Sequence, residues 1–223
     1  ERERERRLRC IVLPETTPPP AFSRRKMAAR VHPNSSTAAL PSDAGGGTAV
    51  LTVWRKSLLF NCDGFTVFDA SGNLLFRVDN YASGNRGEVL LMDATGNPLL
   101  TIRRKKLSLG DQWLVYHGEE ASNPRFSVKK HVNFRQSKTL AHVTPCATTS
   151  GGPGRCSYAV EGSYSQRCCT VLDERRQRVA EIKRKESVGG VGFGGDVFRL
   201  VVQPGFEAHV AMAIVILLDQ MFR

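Results

Sequence analysis

The sequence predicts a mainly β protein: a closed antiparallel β-barrel of about a dozen strands that encloses a hydrophobic C-terminal α-helix. Three observations support this fold class. Short alternating apolar segments recur between turn residues, one hairpin-like pattern repeats, and nine consecutive apolar residues, 210–218, lie near the end of the chain. Short strands at close spacing are typical of sandwiches and barrels, and a helix that is apolar on every side needs an enclosed site.

The repeated pattern consists of apolar residues, an Asp, a polar turn and a second alternating segment. It occurs as VFDASGNLLFRV (67–78), as LMDATGNPLLTI (91–102) and, in a more divergent form, as VLDERRQRVAEI (171–182). Gly and Asn tolerate a positive φ, and an Asp side chain can cap its own turn. Each copy is therefore predicted to be a β-hairpin.

Further strands are predicted from alternation and from β-branched or aromatic content. They span residues 50–54, 112–117, 125–129, 157–160, 167–172, 178–183 and 197–202. Residues 144–155, TPCATTSGGPGR, are predicted to form a loop. Trp54 and Trp113 lie within predicted strands and are expected to pack in the core.

The apolar segment that follows Pro204-Gly205 is predicted to be a helix. Nine residues rise only about 14 Å, whereas the hydrocarbon core of a bilayer is about 30 Å thick. A longer helix, 206–222, would include Glu207, His209 and Asp219. We therefore expect no transmembrane span but a helix wrapped by the sheet, with His209 as a buried, hydrogen-bonded imidazole.

Residues 1–47 are predicted to be disordered, or in part upstream sequence translated in error, with Met27 as the true start. This segment begins with Glu, has no sustained periodicity and contains three consecutive prolines. Residues 48–223 are predicted to form the barrel domain.

The composition favours an acidic partner and gives no sign of catalysis. The net charge is +11, and the basic excess persists beyond residue 26; such a charge suits membrane surfaces, nucleic acid or acidic proteins. Nucleic acid is disfavoured because no helix-turn-helix, zinc-finger or RNP pattern is present. Without a secretory signal or a CxxC motif, the six Cys predict neither disulfides nor a metal site.

No motif predicts a cofactor or a catalytic residue. Residues 190–195 fit GxGxxG, but a strand follows them instead of the helix that a dinucleotide site requires. A flexible glycine turn is the prediction for this segment. No GxSxG elbow is present, so we predict no enzyme activity.

Several segments together closely resemble the plant LURP-one-related family. They are VLTVWRKSLLFNCDGFTVFDASGNLLFRVDNY (50–81), LLMDATGNPLLTIRRKKLSL (90–109) and DVFRLVVQPGFEAHVAMAIVILLDQM (196–221). The resemblance covers residues 27–223. It implies a fold similar to the C-terminal domain of Tubby proteins and to phospholipid scramblases, and a link to basal plant defence.

Three basic clusters are the candidate binding residues. Each follows or ends a predicted strand, so we expect them to gather on one rim or face of the barrel. Tubby-type domains bind phosphoinositide headgroups through surface Lys and Arg, so the resemblance implies a lipid or anion site here. The alternative is a set of solvated strand ends that prevent edge pairing. The residues are Arg103, Arg104, Lys105, Lys106, Lys129, Lys130, Lys183, Arg184 and Lys185.

The sequence therefore predicts a non-enzymatic, cytoplasmic binding module, with peripheral association at the plasma membrane as an option. Its expected ligand is phosphoinositide or another anionic phospholipid. The alternative is a protein–protein interaction scaffold in defence signalling that does not bind lipid, with loops such as 144–155 as contacts.

Overall fold

The computed structural model describes most of the chain from Gly47 onward. The described residues are 47–59, 63–80, 87–107, 110–132, 137–146, 157–186 and 194–222. The predicted N-terminal extension, 1–47, lies almost wholly outside them, so the predicted domain boundary remains a prediction. The elements are β1 (Ala49–Trp54), β2 (Asp63–Phe68), β3 (Leu74–Asn80), β4 (Glu88–Asp93), β5 (Pro98–Arg104), β6 (Gln112–His117), β7 (Phe126–Lys130), β8 (Thr139–Pro145), β9 (Tyr158–Ser163), β10 (Cys168–Leu172), β11 (Arg178–Arg184), β12 (Val197–Val202) and α1 (Ala208–Phe222).

The twelve described strands form one closed antiparallel barrel. Each strand pairs with the next one along the chain, and β1 closes the sheet against β12. The closing register runs from Ala49 opposite Val202 to Trp54 opposite Val197. Closure leaves no exposed edge strand, and it confirms the predicted fold class.

The three repeated segments are hairpins, as predicted: β2–β3, β4–β5 and β10–β11. In each one, the first Asp accepts a hydrogen bond from the backbone N–H four residues later, as Asp69 does from Asn73. Each hairpin also has a register shift near the end of its first strand. The repeated sequence pattern therefore corresponds to a repeated structure, in which the same Asp-capped turn follows the same register shift.

Helix α1 fills the barrel. Residues 210–219 are buried without interruption, so the helix is apolar on every side because strands surround it on every side. The side chains that face it alternate along the strands, as Leu51 and Val53 do in β1. These observations confirm the predicted enclosed helix.

The two ends of the barrel differ. We call the end at which the odd-numbered strands end the helix-end rim, because Arg55 and Lys130 there contact Asp219 and Met221 of α1. The opposite end is the helix-start rim, where β12 leads into α1 and Arg125 contacts Glu207.

Two details of the sequence-based prediction are wrong. Strand β8 was not predicted, and the predicted loop 144–155 begins too early, because Thr144 and Pro145 belong to β8 and pair with β7. The signal was weak: the buried residues of β8 are Ala141 and Val143, and its proline lies at the strand end, where it is tolerated. The rest of that loop, 147–155, lies outside the described residues.

The second wrong detail is Trp54, which was expected in the core. Trp113 is buried as predicted, but Trp54 is 38% exposed. Leu51 and Val53 face the helix, so strict alternation places Trp54 on the outer side of β1.

Candidate functional site

All three predicted basic clusters lie at the helix-end rim, because they end β5, β7 and β11 or directly follow these strands. β5 and β7 are separated only by β6. β11 lies half-way round the closed sheet from β5. The strand order therefore brings the first two clusters together and places the third on the opposite wall.

In the first cluster, the arginines are held by neighbours and the lysines extend into solvent. Arg103 Nε lies 2.7 Å from Glu88 Oε2, and its guanidinium lies 5.0 Å from the centre of the Tyr116 ring. Arg104 Nε lies 3.1 Å from Asp111 Oδ1. Lys105 and Lys106 are exposed in the β5–β6 connection, so they are the cations best placed to meet an external anion.

In the second cluster, Lys129 is exposed, whereas Lys130 has a structural contact. Lys130 Nζ donates to the carbonyl oxygen of Met221 and lies 4.4 Å from the centre of the Phe222 ring. A cation at the last carbonyls of a helix satisfies free acceptors and complements the helix dipole. Lys130 therefore helps to hold the end of α1.

In the third cluster, Lys183 and Arg184 are exposed and Lys185 is half-buried. Lys183 Nζ lies 3.0 Å from Glu181 Oε2. Burial would raise the pKa of the Glu181 carboxyl, but hydrogen bonds from Lys183 and Arg178 outweigh burial and lower that pKa.

Sequence reasoning missed Lys56, which belongs to the same rim. It is exposed in the β1–β2 connection, and its Nζ lies 5.4 Å from the centre of the Trp54 ring. Lys56 is adjacent to Arg55 in sequence but belongs to no long basic run, so charge clustering gave no signal for it.

Beneath the rim, the end of α1 is anchored by a polar network that the sequence also did not reveal. Asp219 is buried and accepts hydrogen bonds from Arg55 Nε at 2.8 Å and from the Tyr164 hydroxyl at 3.2 Å. Burial, followed by the Asp219 charge, raises the pKa of Tyr164 far above its ordinary value. Burial would lower the pKa of Arg55, but Asp219 outweighs burial and raises it.

At the helix-start rim, His209 lies against Glu207 and Arg125. Its Nε2 lies 2.8 Å from Glu207 Oε2, as expected for a hydrogen-bonded imidazole, but the side chain is 26% exposed and therefore half-buried, not buried as predicted. Burial lowers the pKa of His209, whereas hydrogen bonding to Arg125 lowers the pKa of Glu207.

Groups suited to metal binding or nucleophilic chemistry are scarce in the described part of the chain. No group of three or more His, Cys, Asp or Glu there could hold a metal ion. Burial raises the pKa of the Cys169 thiol to about 12, which keeps it protonated and unreactive at neutral pH. The predicted glycine turn, 190–195, lies outside the described residues, apart from Gly194 and Gly195. Within the described ranges, no helix is long and apolar enough to cross a bilayer.

Comparison with known proteins identifies the family. A family model described as LURP-one-related matches residues 49–219, from the first strand to the end of the barrel helix. The chain belongs to the LURP-one-related family. LURP-one-related 8 of Arabidopsis thaliana is 53% identical over 199 residues, which cover 87% of this chain and 98% of the relative. LURP-one-related 17 of the same plant is 41% identical over 198 residues, covering 84% and 90% of the two chains.

A solved structure shares the fold of this chain. An X-ray structure of a protein from Arabidopsis thaliana matches with a TM-score of 0.57 and 27% sequence identity. The match covers 78% of this chain and 92% of the other. The family description and the relatives' names state no reaction.

Proposed function

We propose that this LURP-one-related barrel is a non-enzymatic binding module whose helix-end rim binds anionic phospholipid headgroups, including phosphoinositides. The proposed place of action is the cytoplasmic surface of the plasma membrane, and the proposed context is basal plant defence. The observation that carries the proposal is the gathering of exposed cations at one end of the barrel: Lys56, Lys105, Lys106, Lys129, Lys183 and Arg184.

The cations of the helix-end rim fall into two groups: those that already contact other protein groups and those that are exposed to solvent. Arg103 and Arg104 already bind Glu88 and Asp111, and Lys130 holds the end of α1. Lys105 and Lys106 are exposed in the β5–β6 connection, so phosphate oxygens can reach their ammonium groups. Each cation close to an anionic bilayer surface contributes about 1 kcal/mol, so several exposed lysines on one rim suffice for reversible binding.

Co-sedimentation of the full chain with vesicles tests the proposal. The vesicles contain phosphatidylcholine alone, phosphatidylserine, or phosphatidylinositol bisphosphate at matched charge. We expect binding only to the anionic vesicles, falling as salt rises because exposed charges are screened. Preference for the bisphosphate vesicles would indicate selection of the headgroup, and equal binding would indicate general attraction to negative charge.

A pair of variants with equal net charge separates rim binding from overall charge. Lys105→Glu with Lys106→Glu reverses two cations at the helix-end rim and is expected to weaken binding at least about tenfold. Arg175→Glu with Arg178→Glu reverses two exposed arginines near the helix-start rim and is expected to change binding less than about twofold. Equal losses in the two variants would contradict a rim site. Absence of binding to every vesicle would favour the lipid-independent protein-interaction scaffold.

A further inference from the structure

The exposed apolar side chains are distributed unevenly over the barrel. Among the described residues, the large hydrophobic side chains that remain exposed are Val50 (40%), Trp54 (38%), Leu58 (50%), Leu107 (97%) and Val132 (60%). Four of these five lie at the helix-end rim: Trp54 ends β1, and the other three lie in the β1–β2, β5–β6 and β7–β8 connections. Leu107 contributes almost nothing to the packing of the barrel, so stability gives no reason for a leucine at that position.

Each apolar residue of the helix-end rim has a lysine close by in the chain. Lys56 lies between Trp54 and Leu58, Lys106 directly precedes Leu107, and the exposed Lys129 lies three residues before Val132. A long lysine stem can lie along apolar surface while its ammonium group stays among polar groups. Apolar side chains beside cations are the chemistry that anchors a protein in the interface of an anionic bilayer.

The opposite end of the barrel lacks this combination in its described turns. At the helix-start rim, the hairpin turns 69–73 and 93–97 consist of Asp, Ala, Ser or Thr, Gly and Asn. Their Asp69 and Asp93 carboxylates point into the turns and bond backbone N–H groups. The third hairpin turn of that rim, 173–177, carries exposed arginines but no large apolar side chain. The two ends therefore differ in having or lacking apolar side chains beside cations, and only the helix-end rim has both.

We propose that the helix-end rim inserts Leu58, Leu107 and Val132 below the headgroups of an anionic bilayer, with Trp54 at the interface and the neighbouring lysines at the phosphates. This inference rests on the proposed lipid-binding function and adds a mode of binding to it. A protein partner would need a continuous apolar area, whereas these side chains occupy separate connections around the mouth of a barrel.

The positions of these connections also predict how the barrel is oriented on the bilayer. The apolar residues lie on the wall from β1 to β8, whereas the third basic cluster lies on β11, half-way round the barrel from β5. The barrel should therefore approach the bilayer tilted towards β5, with Lys183 and Arg184 farther from the surface than Lys105 and Lys106. We expect Lys183→Glu with Arg184→Glu to weaken vesicle binding less than Lys105→Glu with Lys106→Glu does. An equal or larger loss would overturn this orientation.

Tryptophan quenching by brominated phosphatidylcholine, in vesicles that also contain phosphatidylserine, tests insertion directly. The background variant is Trp54→Phe in the full chain, which leaves the buried Trp113 as an internal reference. Leu107→Trp in this background is expected to be strongly quenched by bromine placed near the top of the acyl chain. Val50→Trp, at a site of comparable exposure to Trp54 but close to the helix-start rim, is the control and is expected to keep its fluorescence.

Removal of the apolar side chains provides a second readout. Leu107→Ser with Val132→Ser changes exposed positions only and is expected to weaken binding at least about tenfold, since burial of a leucine side chain is worth that factor. Val50→Ser is expected to change binding less than about twofold. Binding to anionic vesicles without quenching of the tryptophan at position 107 would overturn insertion and leave the proposed lipid binding intact. Absence of binding to anionic vesicles would overturn both.

Discussion

Asp219 is a carboxylate inside an apolar helix, and its partners explain how the barrel tolerates it. Arg55 supplies the opposite charge and Tyr164 a hydroxyl donor, from positions 164 and 55 residues away in the chain. A buried charge is costly unless it is paired and hydrogen-bonded. The Asp in the apolar segment is visible in the sequence, but its two partners are set only by closure of the barrel.

The first prediction concerns this charge. Asp219→Asn keeps the shape of the side chain but removes the closer of the two carboxylates beside Arg55, which keeps only the exposed Asp196 at 3.4 Å. We expect the free energy of unfolding to fall by about 2 kcal/mol in urea titrations, because the charge-assisted hydrogen bond between Arg55 Nε and the buried carboxylate is lost. The control is Arg178→Gln, which removes a surface ion pair with Glu181. It should change the free energy of unfolding by less than about 0.5 kcal/mol. Equal effects would contradict the anchoring role of Asp219.

The second prediction concerns His209 and pH. Its pKa is lowered in the folded protein from 6.5, mainly by burial, with Glu207, Arg125 and His117 as the charges that act on it. The folded protein therefore binds fewer protons at this site than the unfolded chain. The stability from neutral His209 is fully present above pH 6.5 and is lost as pH falls from there through the lowered pKa.

Urea titrations at pH 7.5 and pH 5.5 would measure this loss. His209→Gln is expected to reduce the fall in stability between the two values, whereas the control His142→Gln, at an exposed position, should retain it. An unchanged fall in the His209 variant would contradict the burial argument. The pKa of Glu207 is also lowered. Its protonation therefore reduces the stability only below about pH 4.5, the ordinary pKa of a glutamate carboxyl.

At the scale of elements, the three related hairpins show how local sequence sets local geometry. Gly72 and Gly96 adopt φ angles of +85° and +97°, and Arg176 takes the equivalent position in the third hairpin with φ of +62°. The turn survives this substitution because the Asp173 side chain still accepts from the Gln177 N–H. The Asp, more than the glycine, defines the repeated turn.

The third prediction follows from that geometry. A Cβ at Gly72 would meet nothing within 4 Å, so the cost of Gly72→Ala should come only from the strain of an L-residue at positive φ. We expect a loss of about 1 kcal/mol in the free energy of unfolding, measured by thermal or urea denaturation. Gly195→Ala is the matched control, because that site is equally open and its φ is not positive; it should be neutral or slightly stabilising. A neutral Gly72→Ala would contradict the strain argument.

At the scale of the whole molecule, the barrel and its helix depend on each other. The strands present an apolar inner face, and α1 supplies the side chains that fill the space between them. Without the helix, that face would enclose water or collapse, and neither state keeps close packing. The same arrangement places one end of the helix beneath the helix-end rim, so the proposed binding surface rests on a rigid support.

The fourth prediction tests this dependence. A chain that ends after Gln203 retains all twelve strands but lacks α1. We expect it to lose the cooperative unfolding transition and to bind a hydrophobic dye, because the inner faces of the strands are exposed. A chain that ends after Met221 keeps the buried part of the helix and should unfold cooperatively. A cooperative, dye-free barrel in the shorter chain would contradict the proposed role of the helix.

The sequence by itself determined the fold class, the three hairpins and the enclosed helix. These depend on short-range patterns: period-two alternation, Asp-centred turns, and an apolar segment too short to span a bilayer but too apolar for a surface. Strand β8 escaped detection because its buried side chains are small, and Trp54 was misplaced because strand membership alone does not decide which face a side chain takes.

The tertiary structure alone decided which distant residues meet. Closure of the barrel placed the end of β11 opposite the ends of β5 and β7, paired Arg55 with Asp219, and assigned Lys130 to the end of the helix. It also gathered Leu58, Leu107 and Val132 beside the lysines. The number of such residues can be counted in the sequence. Whether they form one surface depends on the order and register of the twelve strands, and contacts between distant parts of the chain set both.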